Sequence, residues 1–468
     1  MTRVDDLQRR PLSSRERGAL VVVDLGIWAL VVSTASRTLV AFGAPALVDF
    51  VHIPLVLCAA ALAPGLIRAS KTSRKSLFWL GVLLFITIVS WIGAGGELAR
   101  PLAEWILLAE PLLLGVTLVA ALLALPSPIR DAQRRRLELA VILVAVSQLL
   151  FGAVELARGG FGDHVQGTFL GLGSGAHVAG AVAAVGAIAV GARALRDREH
   201  RWKWLLLAIG LLLMLIATDA KQVIIAAIPA VLAMLLLSEI RVSGSSRSRR
   251  RARYVALGMT TLVFVALFSI YAPLRTSNHA YNVQQGSKGK LVAARLIGNE
   301  MTRRPEAFLV GLGPGDTVGK LATLTVGSGL RTNSPVAFLH LSQSQITNRV
   351  LALDKSTYVI ASSSVWTGLS SALGLFGDLG ILGVVAYVMA WWALLRGTTR
   401  RRSSGRAVAL ALVLFATILG IFHIWLEEPN FMLPLITLVA VSVTNPSSAS
   451  EHARMGRGVP SSLTRIDA

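Results

Sequence analysis

The sequence has 468 residues, of which 54% are hydrophobic and 15% are charged, and Lys and Arg exceed Asp and Glu by 21. The mean hydropathy is +0.65 and the apolar residues form long blocks, which excludes an ordinary soluble domain and is typical of a multi-pass membrane protein. The single Cys58 excludes an intrachain disulfide and a thiolate metal cluster. In such a chain the positive charge belongs to loops beside the membrane, so nucleic acid is not an expected partner.

The blocks of apolar residues predict an all-α protein with about twelve transmembrane helices, since a span needs about 20 apolar residues. We predict a cytoplasmic segment at 1–18, nine spans within 19–272, an extracytoplasmic loop at 273–364, three spans within 365–444 and a disordered cytoplasmic tail at 445–468. The first span is expected to be retained, because no small-residue cleavage site follows it. The predicted spans lie at 19–36, 43–67, 77–95, 102–125, 137–157, 169–192, 204–218, 222–240, 254–272, 365–395, 407–426 and 430–444.

Two of these spans carry local irregularities. The second contains Pro45, Pro54 and Pro64, which predicts a kink or an interfacial first piece. The seventh and eighth are separated only by a short polar link that includes Asp219 and Lys221, which predicts a helical hairpin with Lys221 near the outer interface.

Lys and Arg concentrate in alternate short loops, as in the runs at 247–253 and 400–402. This asymmetry indicates that both termini are cytoplasmic and that the long polar loop faces outward. A polar segment of this length cannot lie in lipid, because its backbone groups would lack hydrogen-bond partners.

The long loop is the first candidate for function. Residues 291–310 have the spacing of an amphipathic helix, and Pro305 is expected to end it. Arg295, Arg303 and Arg304 lie on its polar side, and an outward basic surface suits a phosphate or diphosphate. The alternative is that these are ordinary solvated charges. The turn at 311–316, with three glycines, is a second phosphate-binding candidate, although such turns more often only reverse the chain.

Four further side chains are candidates. Lys221 would hold a lipid phosphate or pair with a nearby charge, unless it only extends to the interface from a helix end. Asp316 in the loop and Asp378 near the outer end of the tenth span are candidate acid or base groups. Gly374, Gly377, Gly380 and Gly383 surround Asp378 with small residues that let another helix approach closely. His340 is a candidate general base, with an ordinary surface histidine as the alternative.

Four segments resemble motifs of the O-antigen ligase and polymerase superfamily, whose members join lipid-linked saccharides on the outer side of the bacterial inner membrane. Residues 165–179 resemble its Gly-Thr-Phe segment, and 219–222 stand where many members have a Ser-Arg pair. Residues 295–315 resemble the superfamily's loop arginine and Gly-x-Gly turn, and 370–383 resemble the segment that opens the next span. Members often have a His-Asn or His-Ser pair where this chain has Leu369, Ser370 and Ser371, which favours a polymerase-like or inactive variant over a ligase.

The resemblance implies a GT-C-like fold, a polyprenyl-diphosphate-linked saccharide as donor, and transfer without a metal or other cofactor. On this hypothesis the protein is a polysaccharide polymerase-like glycosyltransferase of the bacterial plasma membrane, in contact with membrane lipid and, where present, polysaccharide assembly proteins. Arg295, Arg303, Arg304 and Lys221 would bind the diphosphate, and Asp378, Asp316 or His340 would act on the acceptor hydroxyl. The alternatives are a transporter or flippase for lipid-linked saccharides and a non-catalytic partner in an envelope assembly complex.

Overall fold

A computed structural model describes residues 11–170, 175–197, 199–239, 279–330, 341–342, 344–358, 369–399 and 404–444. These residues form α-helices joined by turns and short 3-10 segments, and no β-strand occurs among them. The helices are α1 (Ser14–Ala41), α2 (His52–Leu62), α3 (Pro64–Ala69), α4 (Lys71–Ala94), α5 (Ala99–Ala124), α6 (Ser127–Ala157), α7 (Gly175–Arg196), α8 (Arg201–Ala217), α9 (Lys221–Glu239), α10 (His279–Arg303), α11 (Ala307–Val310), α12 (Lys320–Leu330), α13 (Gln345–Tyr358), α14 (Ser371–Thr399), α15 (Ser404–Phe422) and α16 (Pro429–Val443).

Seven of the described helices are long and apolar enough to cross a membrane, namely α1, α4, α5, α6, α7, α14 and α15. Shorter apolar helices occupy Ala46–Leu62, Lys221–Met234 and Pro429–Val443. The expected class, an all-α membrane protein, is therefore confirmed. The predicted ninth span at 254–272 lies outside the described residues, and the count of twelve and the GT-C-like arrangement stay predictions.

The predicted second span is broken into three pieces, as its prolines indicated. A 3-10 turn at Ala46–Phe50 leads into α2, and Pro64 starts α3. Ser70 then caps α4 by accepting a hydrogen bond from Ser73 N at 3.2 Å.

Helices α5 and α16 lie at the centre of the bundle. Nearly every residue of α16 is buried, as is almost the whole apolar length of α5. Gly115 permits this packing, because a Cβ there would lie 2.6 Å from Ile436 Cγ1. The polar groups on these two helices are therefore shielded from lipid and water.

Because the long helices alternate in direction, the links between them gather at two ends. At one end, here called the site end, Thr38 Oγ1 donates to Thr168 O at 2.6 Å and Lys320 Nζ contacts Glu428 Oε2 at 2.7 Å. At the other, the basic end, Arg134 Nε donates to Val441 O at 3.2 Å. The Lys and Arg residues of 68–75, 130–136, 193–196 and 201–203 belong to the basic end.

The described part of the long loop packs on the site end around a small core of its own. Ala293, Ile297 and Met301 of α10 meet Leu312 and Val350 there. The expected amphipathic helix is present, and it ends at Arg303, just before Pro305.

Candidate functional site

The glycine turn packs directly against α14. Gly311, Gly313 and Gly315 all have positive φ, and α14 itself is interrupted at Gly380, where φ is 64° and ψ is −169°. Leu312 N donates to Gly377 O at 2.8 Å. A side chain on Gly311 would overlap the Asp378 carbonyl group. The turn thus uses its glycines for close backbone approach, not for an open phosphate cradle.

Asp378 is held in this contact and is fully buried. Its Oδ1 accepts from Thr317 N at 2.8 Å and from Thr317 Oγ1 at 2.7 Å. Its carbonyl oxygen accepts from Ser90 Oγ of α4 at 2.7 Å. Its Oδ2 has no hydrogen-bond partner among the described residues, so one oxygen of a well-fixed carboxyl group remains available for a ligand.

Two more buried carboxyl groups, Glu104 and Glu427, join Asp378, and the three are called the carboxylate cluster. A Cβ on Gly319 would lie 3.2 Å from Asp378 Oδ2 and 3.3 Å from Glu427 Oε2, so both side chains converge on that glycine. Glu104 is within electrostatic range of both, and its Oε2 also lacks a partner in the described part of the chain. In that same part, no group of three His, Cys, Asp or Glu side chains is arranged to hold a metal ion.

Glu427 and its neighbour Glu428 have opposite electrostatic settings. Burial raises the pKa of Glu427 to about 7, although Lys320 N donates a short hydrogen bond to its Oε2. Burial also acts on Glu428, but the charge and hydrogen bond of Lys320, with smaller contributions from Arg37 and Asn430, lower its pKa to about 2. Glu427 is thus the member of the pair that exchanges a proton near neutral pH.

Arg100 fastens the loop to the bundle. Its Nε donates to Glu97 Oε2 at 2.5 Å and its Nη1 donates to Asp316 Oδ1 at 2.5 Å. Its Nη2 donates to Ser342 O, and Ser342 N donates to Glu97 Oε1 at 2.8 Å. Burial raises the pKa of Asp316 despite the charge of Arg100. Burial is outweighed at Glu97 by hydrogen bonds with Ser342 and Arg100, which lower its pKa to about 2.

The structure brings the two predicted aspartates together, and the predicted arginines form no hydrogen bond or ion pair with either among the described residues, although the charge of Arg304 acts on Asp316. Asp316 and Asp378 flank Thr317, and Asp316 is committed to Arg100. Arg303 and Arg304 are 73% and 52% exposed and pair with Glu300 at 3.3 and 3.7 Å.

The other predicted residues lie at three different kinds of position. Arg295 is exposed on α10. Lys221 Nζ lies 3.6 Å from Asp219 Oδ2, in the tight link between α8 and α9, where Asp219 has a φ of 52°. His340 lies outside the described residues. The roles assigned to all these side chains stay predictions.

Sequence reasoning missed Glu104, Glu427 and Arg100. Glu104 lies within a predicted span, and an acidic residue there is itself a signal of function. Glu427 and Glu428 fall between the last two predicted spans, where they resemble an ordinary polar link. Only the folded chain shows that their side chains meet Lys320 from the loop.

A second row of ionisable side chains leads from the site end into the bundle. Arg37 pairs with Asp49, which accepts from Ser36 Oγ at 3.2 Å. Deeper, His52 Nδ1 and Glu110 Oε1 are 2.5 Å apart and both residues are buried. Buried ionisable pairs of this kind mark ion or substrate paths in many membrane proteins.

Together, the helices and the carboxylate cluster define a helical membrane protein with a folded polar loop over buried acidic groups. Comparison with known proteins finds no matching family model and no matching curated sequence.

Proposed function

We propose that this protein is a membrane glycosyltransferase that polymerises polyprenyl-diphosphate-linked saccharide units at the site end, on the outer face of the bacterial plasma membrane. The observation that carries the proposal is the Oδ2 of Asp378, which has no hydrogen-bond partner in the described part of the chain and lies in a carboxylate cluster covered by the loop. The resemblance of four segments to the O-antigen ligase and polymerase superfamily supports the same chemistry, and the serines at 370 and 371 favour a polymerase over a ligase.

The reaction needs a base and a good leaving group. The acceptor hydroxyl gives its proton to a carboxylate of the cluster while its oxygen bonds to the anomeric carbon, and the bond from that carbon to the diphosphate oxygen breaks. The diphosphate leaves with the bonding electrons. Thr317 fixes Asp378 to orient the hydroxyl, and Glu427 takes the proton.

Access to the cluster requires movement of the loop. Asp378 is fully buried and Glu427 is 1% exposed, so the segment at 311–320 must shift before an acceptor reaches them. Closure over bound substrate would then exclude water and favour transfer over hydrolysis.

The test is transfer by the full-length protein in vesicles that contain a lipid-linked oligosaccharide. We expect a ladder of products from the native protein. The rate of transfer by Asp378→Asn should be lower by at least about 100-fold. Asp24→Asn is the matched control, because Asp24 is about half exposed and pairs with Arg136 far from the cluster. No ladder from the native protein would overturn the function, and an unchanged rate in Asp378→Asn would overturn the role of Asp378.

A transporter or flippase for lipid-linked saccharides is the second candidate, because the Asp49 and His52–Glu110 row extends into the bundle. This candidate predicts that the native protein translocates a fluorescent lipid-linked oligosaccharide across the membrane of vesicles. Vesicles that contain Glu110→Gln in its place should show no translocation. A protein that translocates the lipid but yields no ladder would establish transport in place of transfer.

A further inference from the structure

The turn from α3 into α4 carries four exposed cations, Arg68, Lys71, Arg74 and Lys75, which are called the basic corner. Lys71, Arg74 and Lys75 are three and four residues apart at the start of α4, so they lie on one face of that helix. No Asp or Glu occurs at 50–96. None of the four side chains has a hydrogen bond or an ion pair among the described residues. Their charge is therefore not offset within the described part of the chain.

The arginines of α6, at the same end of the bundle, are bonded within the protein. Arg134 Nη1 donates to Asp131 Oδ1 at 3.0 Å, and Arg135 Nε donates to Asp131 O at 3.3 Å. Arg136 Nη2 donates to Asp24 Oδ1 at 3.0 Å. Both groups are basic, but only the basic corner keeps all of its donors for a ligand.

The face of α4 that carries the basic corner continues as an exposed apolar row. Phe78 lies one turn beyond Arg74 and is 64% exposed, and Phe85 and Ile92 follow at intervals of seven residues with 66% and 69% exposed. Seven residues make about two helical turns, so these three side chains, called the apolar row, lie along one side of α4. Trp79 packs edge-on against Phe78 with ring centroids 5.5 Å apart, and aromatic side chains next to cations are typical of the membrane interface.

The cations and the apolar row together match one class of ligand. A soluble acidic protein or a free phosphate would meet the cations alone. A phospholipid with a net negative headgroup meets both, because its phosphate reaches the basic corner while its acyl chains lie along the apolar row. Each Lys or Arg at a membrane surface improves the affinity for anionic lipid about fivefold, so four such residues form a strong attraction.

We propose that the basic corner and the apolar row bind an anionic phospholipid in the leaflet at the basic end of the bundle. The guanidinium group of Arg74 donates to the headgroup phosphate, and the ammonium groups of Lys71 and Lys75 add charge on the same face. This surface is independent of the proposed transfer reaction, because it lies at the opposite end of α4 from Ser90, which contacts Asp378.

The experiment measures binding of phosphatidylglycerol to the full-length protein in neutral detergent, with native mass spectrometry to count bound lipid. Arg74→Gln/Lys75→Gln should weaken the tightest binding at least about tenfold, because two attractions to the headgroup are lost. Arg74→Lys/Lys75→Arg keeps both charges and should retain binding. Arg135→Gln/Arg136→Gln is the matched control, since it removes two adjacent exposed cations that are bonded within the protein.

Two comparisons test the chemistry of the ligand. Phosphatidylcholine with the same acyl chains should bind more weakly than phosphatidylglycerol, and added salt should reduce this difference. Glycerol phosphate should not displace the lipid at equal concentration, because it lacks the chains that cover the apolar row. Equal binding of the two lipids would overturn the role of charge, and displacement by glycerol phosphate would overturn the assignment to a lipid.

The two double variants decide whether the site is local. Unchanged affinity in Arg74→Gln/Lys75→Gln would overturn the basic corner as a site. An equal loss in Arg135→Gln/Arg136→Gln would overturn it as well, because the lipid would then respond only to the total charge of the basic end. Thermal unfolding in neutral detergent identifies a misfolded variant. The single change Lys71→Gln, with an expected loss of about fivefold, replaces the double variant in that case.

Discussion

Two adjacent glutamates show how single contacts set the chemistry of this site. Glu428 has Lys320 as a direct partner and stays ionised, while Glu427 shares its surroundings with Asp378 and Glu104. From the sequence alone, Glu427 and Glu428 are two equivalent acidic residues in one short polar link. The difference comes from which side chain the ammonium group of Lys320 reaches, and that contact joins residues 108 positions apart.

The raised pKa of Glu427 predicts a pH dependence of transfer. As the base, Glu427 must be ionised, so the rate of ladder formation should rise with pH through about 7. Glu427→Gln should be slow at every pH and lack this rise, while Asp24→Asn should keep it. A native rate that is flat between about pH 6 and 8 would contradict the assignment.

The same shift has the opposite effect on stability. The folded protein holds the Glu427 proton more tightly than the unfolded chain, so this contribution is present below pH 4.5 and is lost as pH rises through about 7. Glu428 contributes in the other direction, because its stabilisation is present above pH 4.5 and is lost as pH falls toward about 2.

Among the contacts between elements, the one between the glycine turn and α14 leaves the least space for a side chain. Gly311 has a φ of 90°, and a side chain there would overlap Asp378 O. We expect Gly311→Ala to lower the thermal unfolding midpoint and to abolish transfer. Gly298→Ala is the matched control, because a Cβ at that position meets nothing within 4 Å. In the helix interior that change should stabilise the protein slightly, by about 0.5–1 kcal/mol. Equal stability of the two variants would contradict the packing argument.

Arg100 holds the loop against the helices of the bundle. Only a guanidinium group has enough donors, in the right geometry, to bond Glu97, Asp316 and Ser342 together. Arg100→Lys should therefore expose the described loop residues at 311–330 to limited proteolysis and lower the free energy of unfolding by up to about 3 kcal/mol. Arg135→Lys, exposed at the basic end, supplies the control. Identical proteolysis patterns for the two variants would show that Arg100 does not hold the loop against the bundle.

The elements also show where sequence reasoning ends. The helices, the broken second span and the amphipathic α10 followed from hydrophobic spacing and proline positions. The glycines from Gly374 to Gly380 were correctly interpreted as a close-packing face, but the sequence suggested another helix as the partner. The partner is the loop, with Gly319 Cα 2.7 Å from a Cβ built on Gly374 and Thr317 Oγ1 2.6 Å from a Cβ built on Gly377. Periodicity identifies a face and carries no information about an irregular segment that covers it.

At the scale of the whole molecule, we predict that the site end faces the outside of the cell and that the basic end faces the cytoplasm. With Cys58 replaced by Ser, Arg303→Cys at the site end should react with an impermeant thiol reagent added outside intact cells. Arg135→Cys at the basic end should react only after the membrane is opened. The reverse pattern would place the site end in the cytoplasm and overturn the proposed location of the reaction.

The interruption at Gly380 has a mechanical consequence. Residues 371–379 are bonded to the loop through Leu312 and Thr317, and one glycine with non-helical angles separates them from the rest of α14. This nine-residue stub is also tied to Ser90 of α4 and, through Ser371, to the link at His423. When the loop lifts to admit a substrate, the hydrogen bonds from Thr317 to Asp378 must break, and the carboxyl group stays anchored in the bundle as the site opens.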